Sequence, residues 1–199
     1  MEHSFHLYNK YAADGIAMAL DSLLKVYFYK SKGVGTDLTE LSFTPPVIVC
    51  IGTDLAIADS LGPITGSMLK YKMQGANAFL YGTLPEPVTA KEIKYIRTFL
   101  QETHKNSPII AIDAAVGEKG DVGMIKLSDT PLLPGVGAKK QLGSIGDISI
   151  MGVVAEKSLE NFGLLNNTRL NLVYTMAEII SDAVSSLLWN REGKAVKNA

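Results

Sequence analysis

The chain has 199 residues, 47% of them hydrophobic and 20% charged, enough for one domain with a sizeable core and too few for two comfortable ones. Its 19 basic and 20 acidic side chains leave a net charge of −1, which gives no electrostatic reason to expect nucleic acid or an anionic membrane as partner. A single cysteine, Cys50, excludes an intrachain disulfide, no secretory leader or run of about 18 apolar residues is visible, and a reducing cytoplasm is the expected setting.

Residues 9–29 read as an amphipathic helix, because Ala12, Ile16, Ala19, Leu20, Leu23, Leu24 and Tyr27 recur at helical spacing. It forms the centre of an N-terminal segment, 1–35, and can pack on a sheet or form a dimer surface. A polar linker ends at Pro45 and Pro46. Val47 to Ile51 is then a short apolar run that suits a strand buried on both faces, with Cys50 packed in it as a small hydrophobe. After a loop, Asp59 or Ser60 caps a helix that carries Pro63 in its first turn and closes at Gly75.

The pattern repeats along the chain. Asn77 to Tyr81 reads as a second strand, and Thr89 caps a helix through Thr103 with Ile93, Ile96, Phe99 and Leu100 on its buried side. Ile109 to Ile112 reads as a third strand ending at Asp113. This alternation predicts right-handed crossovers and a mostly parallel sheet. Val122 to Leu127 alternates more and reads as an antiparallel edge strand. Residues 128–146 are rich in Gly and Pro, Ile148 to Val154 is a further buried strand, and Asn167 or Thr168 caps a long helix to Trp189. The expected fold is a three-layer α/β/α sandwich whose five- or six-stranded sheet is mostly parallel and partly mixed. The motif-bearing core is 47–155 and the C-terminal helix 166–190.

Ligands of such sheets bind beyond the carboxyl ends of the strands. That rule selects Thr53, Asp54 and Asp59 after the first strand, Thr83 after the second and Asp113 after the third. Asp59 at a helix N-terminus reads first as a plain cap, and Asp113, following four apolar residues, reads as a half-buried carboxylate that needs a partner. Two carboxylates sharing a cleft cannot both ionise easily, so one keeps a proton. Such a pair can activate water and protonate a leaving amine; two oxygen donors make an incomplete metal site. No dinucleotide fingerprint and no Walker lysine occurs. His3, His6 and His104 read as solvated side chains, which leaves a Ser-His-Asp triad without its histidine. Lys139, beside Lys140, is a lysine that can meet a substrate carboxylate or carbonyl.

The stretch Ile51-Gly52-Thr53-Asp54 through Asp59-Ser60-Leu61-Gly62-Pro63 closely resembles the YyaC-type sporulation protein family, which is related to the germination protease and hydrogenase-maturation protease superfamily. Ile112-Asp113-Ala114, Ser128-Asp129-Thr130, Pro134-Gly135, Gly137-Ala138-Lys139 and Gly152-Val153 resemble further germination-protease strings in the same order. The resemblance implies an aspartic-type peptidase with Asp59 and Asp113 as its catalytic pair. Asp54, Thr83, Ser128, Asp129 and Lys139 become substrate-binding candidates. Hydrogenase-maturation proteases hold a metal with acidic residues at the same two positions and a histidine; the corresponding stretch here, Glu160 to Leu164, places Glu where the histidine stands, which argues against nickel.

The resulting expectation is a sporulation- or germination-associated peptidase of the cytoplasm, forespore or spore core, acting on a protein or peptide substrate such as spore proteins. No cofactor, resident metal, nucleic acid or membrane is expected, and the sequence leaves homo-oligomerisation open. The alternatives are an inactive binding or regulatory protein of the same fold, motivated by the missing histidine and reduced length, and a metal-dependent hydrolase.

Overall fold

The computed structural model of the protein describes residues 1–32, 44–134, 143–157 and 168–197. Six strands form one sheet: β1 (Glu2–His6), β2 (Val47–Cys50), β3 (Phe79–Tyr81), β4 (Ile109–Gly117), β5 (Met124–Ser128) and β6 (Ile148–Glu156). Their spatial order is β1-β5-β6-β4-β2-β3. The four strands β6, β4, β2 and β3 run parallel, and β5 and β1 add antiparallel ladders beyond β6. The fold is the expected α/β sandwich with a mixed sheet.

Four α-helices flank it: α1 (Ala12–Lys32), α2 (Leu61–Lys72), α3 (Ile93–Thr103) and α4 (Leu170–Lys197). Strand alternation assigns them to layers. Ile48, Cys50, Ile110, Ile112, Ile125, Leu127, Ile148 and Ile150 face one way and bury against α1, α2 and α4. Val47, Val49, Ile51 and Ala111 face the other way and bury against Ile93, Ile96 and Leu100 of α3. Helix α1 therefore packs on the sheet and on α4, with Phe28 rather than Tyr27 completing its buried stripe.

Helix α4 is long and apolar enough over Leu170–Arg191 to cross a membrane by length and composition, with mean hydropathy 1.2. Here it is a core helix. Val173, Met176, Ala177, Ile180, Ala183, Val184, Leu187 and Leu188 are buried, whereas the predicted stripe members Leu170 and Tyr174 face outward. Its far end is tied to α2 by the Lys72–Asp182 ion pair at 2.6 Å and by the Trp189 indole donating to the Lys72 carbonyl at 3.1 Å.

Three expectations need correction. The N-terminal residues form β1, which covers β5, so β5 is not an edge strand; Phe5 packs over Gly15 of α1, and the few apolar residues of this strand gave no run long enough to show in the sequence. The third predicted strand does not stop at Asp113. It continues to Gly117, paired to β6 throughout with an irregularity between Ala115 and Val116. His104 is not merely solvated: its ring accepts or donates a 2.8 Å bond with the Tyr81 hydroxyl and packs on Phe79.

Candidate functional site: a carboxylate pair beyond the second strand

The site arises from a mismatch in strand length. Strand β2 has four residues and β4 has nine. Their register pairs Cys50 with Ile112, so Asp113 stands one step past the end of β2 while still inside β4. The chain leaves β2 toward β3 and leaves β4 toward the β5–β6 side. A crevice opens at such a switch point, beyond the carboxyl ends of the strands. Alternation from Ala111, and pairing with Met151, turn the Asp113 side chain to the α3 face.

Glycines bring the other carboxylate close. The loop after β2 folds back so that the Thr53 N–H donates to the Asp59 carbonyl at 2.9 Å. Gly52 has φ +140°, and a Cβ there would lie 2.0 Å from that carbonyl oxygen. A Cβ on Gly62 would lie 2.0 Å from the Ile51 carbonyl oxygen. These approaches seat the first turn of α2, and the 3₁₀ turn Ile57–Asp59 before it, against the end of β2. Ser60, not Asp59, holds the N-cap position, and its hydroxyl donates backward to the Ile57 carbonyl at 2.7 Å.

Asp113 is 8% exposed. Burial pushes its pKa well above the ordinary carboxylate range, and the negative charge of Asp59 raises it further; the Ala114 N–H, donating to Oδ1 at 2.8 Å, opposes both. Asp113 thus favours its protonated form. The carboxylates, 54 positions apart in sequence, share one electrostatic environment.

The remaining predicted residues divide. Asp54 is exposed on the loop after β2, and Thr83 lies buried just after β3, its N–H donating to the Glu86 carbonyl at 3.1 Å. Both belong to the carboxyl-end rim. Ser128 and Asp129 do not. Ser128 pairs with Ser149 near the start of β6, so it sits two strands from Asp113 and toward the amino ends of the parallel strands. Asp129 is held by the Met1 ammonium and by Lys30 at 3.0 Å, and these cations keep its pKa at about 2. The reason is topological: β5 runs antiparallel, so its last residues point away from the rim. Lys139 and the stretch Glu160 to Leu164 lie outside the described residues.

Lys126, which the sequence reading did not single out, lies on the same sheet face as Asp113. Its register partner is Met151, whose other partner is Asp113, so all three lie in one row on one face. Lys126 reaches Asp121, beside the end of β4, at 2.9 Å. The alternation of Ile125 and Leu127 with Lys126 was the available signal. Among the described residues, no three His, Cys, Asp or Glu side chains come together as metal ligands.

Comparison with known proteins places the chain. A family model described as "Protein of unknown function (DUF1256)" matches residues 28–183. The chain is 40% identical over 152 residues to the "Uncharacterized protein YyaC" of Bacillus subtilis (strain 168), covering 76% of this chain and 74% of that one. It is also similar to the crystal structure of a [NiFe] hydrogenase maturation protease, HycI, from Thermococcus kodakarensis KOD1. That likeness has 19% identity, a TM-score of 0.48, and coverage of 77% of this chain and 99% of that one, too distant to carry a functional reading. The family match spans the switch-point loop, both carboxylates and the first half of α4, and the chain belongs to the YyaC-type DUF1256 family.

Proposed function

We propose that the protein is a peptidase of sporulation or germination that hydrolyses peptide bonds with Asp59 and Asp113. The supporting observation is a nearly buried Asp113, whose pKa is raised by burial and by the nearby charge of Asp59, at the mouth where α/β sheets bind ligands. Asp59, as the carboxylate, takes a proton from a water that attacks the scissile carbonyl. Asp113 delivers its proton to the departing amine as the C–N bond breaks. The hydroxyl remains on the acyl carbon, and Asp59 returns its proton to Asp113 through solvent. General acid–base assistance of this kind contributes about 10²–10⁴-fold. Asp54 and Thr83 border the mouth and meet the substrate backbone. The substrate is a protein or peptide, with spore proteins favoured by the family resemblance, and the setting is the cytoplasm of the forespore or spore.

The test is cleavage of small acid-soluble spore proteins, and of a sporulating-cell extract, by the parental chain, Asp59→Asn and Asp113→Asn. The expected result is a loss of at least about 100-fold in each variant. Cleavage unchanged in both variants would remove the proposed chemistry.

A non-catalytic binding role is the second reading. It is favoured by Leu55 and Ile57, 91% and 42% exposed beside Asp59, because exposed apolar side chains at a polar mouth suit a protein partner. Under that reading the parental chain cleaves nothing in the extract, yet retains a partner that Leu55→Ser releases. A metal-dependent hydrolase predicts stoichiometric divalent metal in protein purified without chelators.

A further inference from the structure

A second concavity lies at the other end of the sheet, where β4 and β6 begin. It is a cleft of about 430 Å³, within the range of small-molecule sites. Helix α3 builds one wall. Ile93, Ile96 and Leu100 bury one stripe of this helix, which leaves Arg97 and Gln101 on the neighbouring stripe, with His104 and Lys105 just past the helix end, lining the cleft. The turn Gly143–Asp147 builds the opposite wall, and Leu100 and Ile145, both under 5% exposed, form an apolar floor.

The charges of this lining are unbalanced. Among the described residues, neither Arg97 nor Lys105 takes part in an ion pair. Among the described residues, Asp147 is the one acid in the lining; its Oδ2 accepts the Ile109 N–H at 2.9 Å, and burial raises its pKa. Lys105 and His104 can answer the negative end of the α3 dipole. Arg97 lies six residues before the last residue of α3, beyond the final turn over which that effect acts. The guanidinium lies against the backbone of Gly143, where φ is +79° and a Cβ would come within 2.2 Å of Nη1. A glycine is thus needed for Arg97 to lie where it does, over the cleft.

We propose that this cleft is a binding site for a small organic oxyanion, its carboxylate or phosphate held between Arg97 and Lys105 and its apolar body against Leu100 and Ile145. A guanidinium offers paired donors that match either oxyanion, and the floor favours a ligand with a ring or short chain over a bare ion. The site is separate from the carboxylate pair and does not depend on its chemistry.

Titration calorimetry of the full chain with inorganic phosphate, phenyl phosphate and benzoate tests it. Phenyl phosphate or benzoate should saturate one site, more tightly than inorganic phosphate; which of the two is tighter identifies the head group. Arg97→Gln and Lys105→Gln should each weaken that binding by about tenfold or more, the scale of one charge-assisted hydrogen bond. Gly143→Ala should weaken it too, by displacing Arg97, and the Asp59→Asn/Asp113→Asn double variant should bind as the parent does. Thermal melts confirm that each variant is folded. Absence of saturable binding by all three probes, or affinities unchanged in Arg97→Gln and Lys105→Gln, would overturn the proposal.

Discussion

Asp113 couples the candidate site to stability. A carboxyl whose folded pKa lies above its unfolded value binds more protons in the native state. Stability therefore falls as pH rises from about 3.8 through the folded value. Asparagine keeps the shape and can still accept the Ala114 N–H, while removing the charge that burial and Asp59 oppose. We expect Asp113→Asn to raise stability at pH 7 by roughly 1–3 kcal/mol, about 2–10 °C in Tm, and to flatten its fall above pH 4. Thermal melts from pH 4 to 8 check this, and an Asn variant less stable than the parent at pH 7 contradicts it. Cys50 behaves differently: burial in an apolar strand pushes its thiol pKa up, as expected of a packing residue rather than a nucleophile.

At the scale of elements, the site depends on how closely α2 approaches β2. Gly62 touches the Ile51 carbonyl, and a Cβ on Gly66 would lie 1.8 Å from the Gly82 carbonyl oxygen. These contacts set the position of the 3₁₀ turn that carries Asp59. Gly62→Ala should push the helix start away from the strand, cost about 1–3 kcal/mol or more, and reduce any Asp59-dependent cleavage more than the stability loss explains. Denaturant titration beside the cleavage assay tests this; an alanine accommodated with both quantities unchanged refutes it. The helices themselves were legible. The 3.6-residue periodicity of α1 and α3 is clear because each buries one face, whereas α4 showed by its length and apolar content. Their ends were not: the predicted cap Thr89 bonds to Glu92 before the first turn of α3 rather than capping it from within, because local hydrogen bonds of Thr and Glu also stabilise turns.

Across the whole molecule, one surface cluster closes the antiparallel side of the sheet. Asp129 joins the N-terminal residue of the chain, the end of β5 and Lys30 of α1. Its pKa of about 2 lies below the ordinary value. The stabilisation it adds is fully present above about pH 4 and is lost as pH falls toward 2. Because solvent and salt screen it, the contribution is about 1 kcal/mol or less. Asp129→Asn should lower Tm by a few degrees at pH 6 and leave it unchanged near pH 2, with the difference shrinking in 1 M NaCl. A difference that persists at pH 2 would mean the residue acts through packing instead.

By itself the sequence determined the layered α/β class, the apolar strands, the helices and the two carboxylates worth attention, because burial imprints its period on the residues and a charge after an apolar run stands out. Tertiary structure decided the rest. That Asp113 lies inside β4 yet beyond β2 follows from strand register, which no local pattern encodes. That Ser128 and Asp129 turn away from the rim follows from the antiparallel placement of β5, and β6 entering between β4 and β5 is a choice of sheet order. Local chemistry sets what a segment can become; which segments meet is fixed by long-range packing, where the free energy of burying a shared core exceeds any local preference.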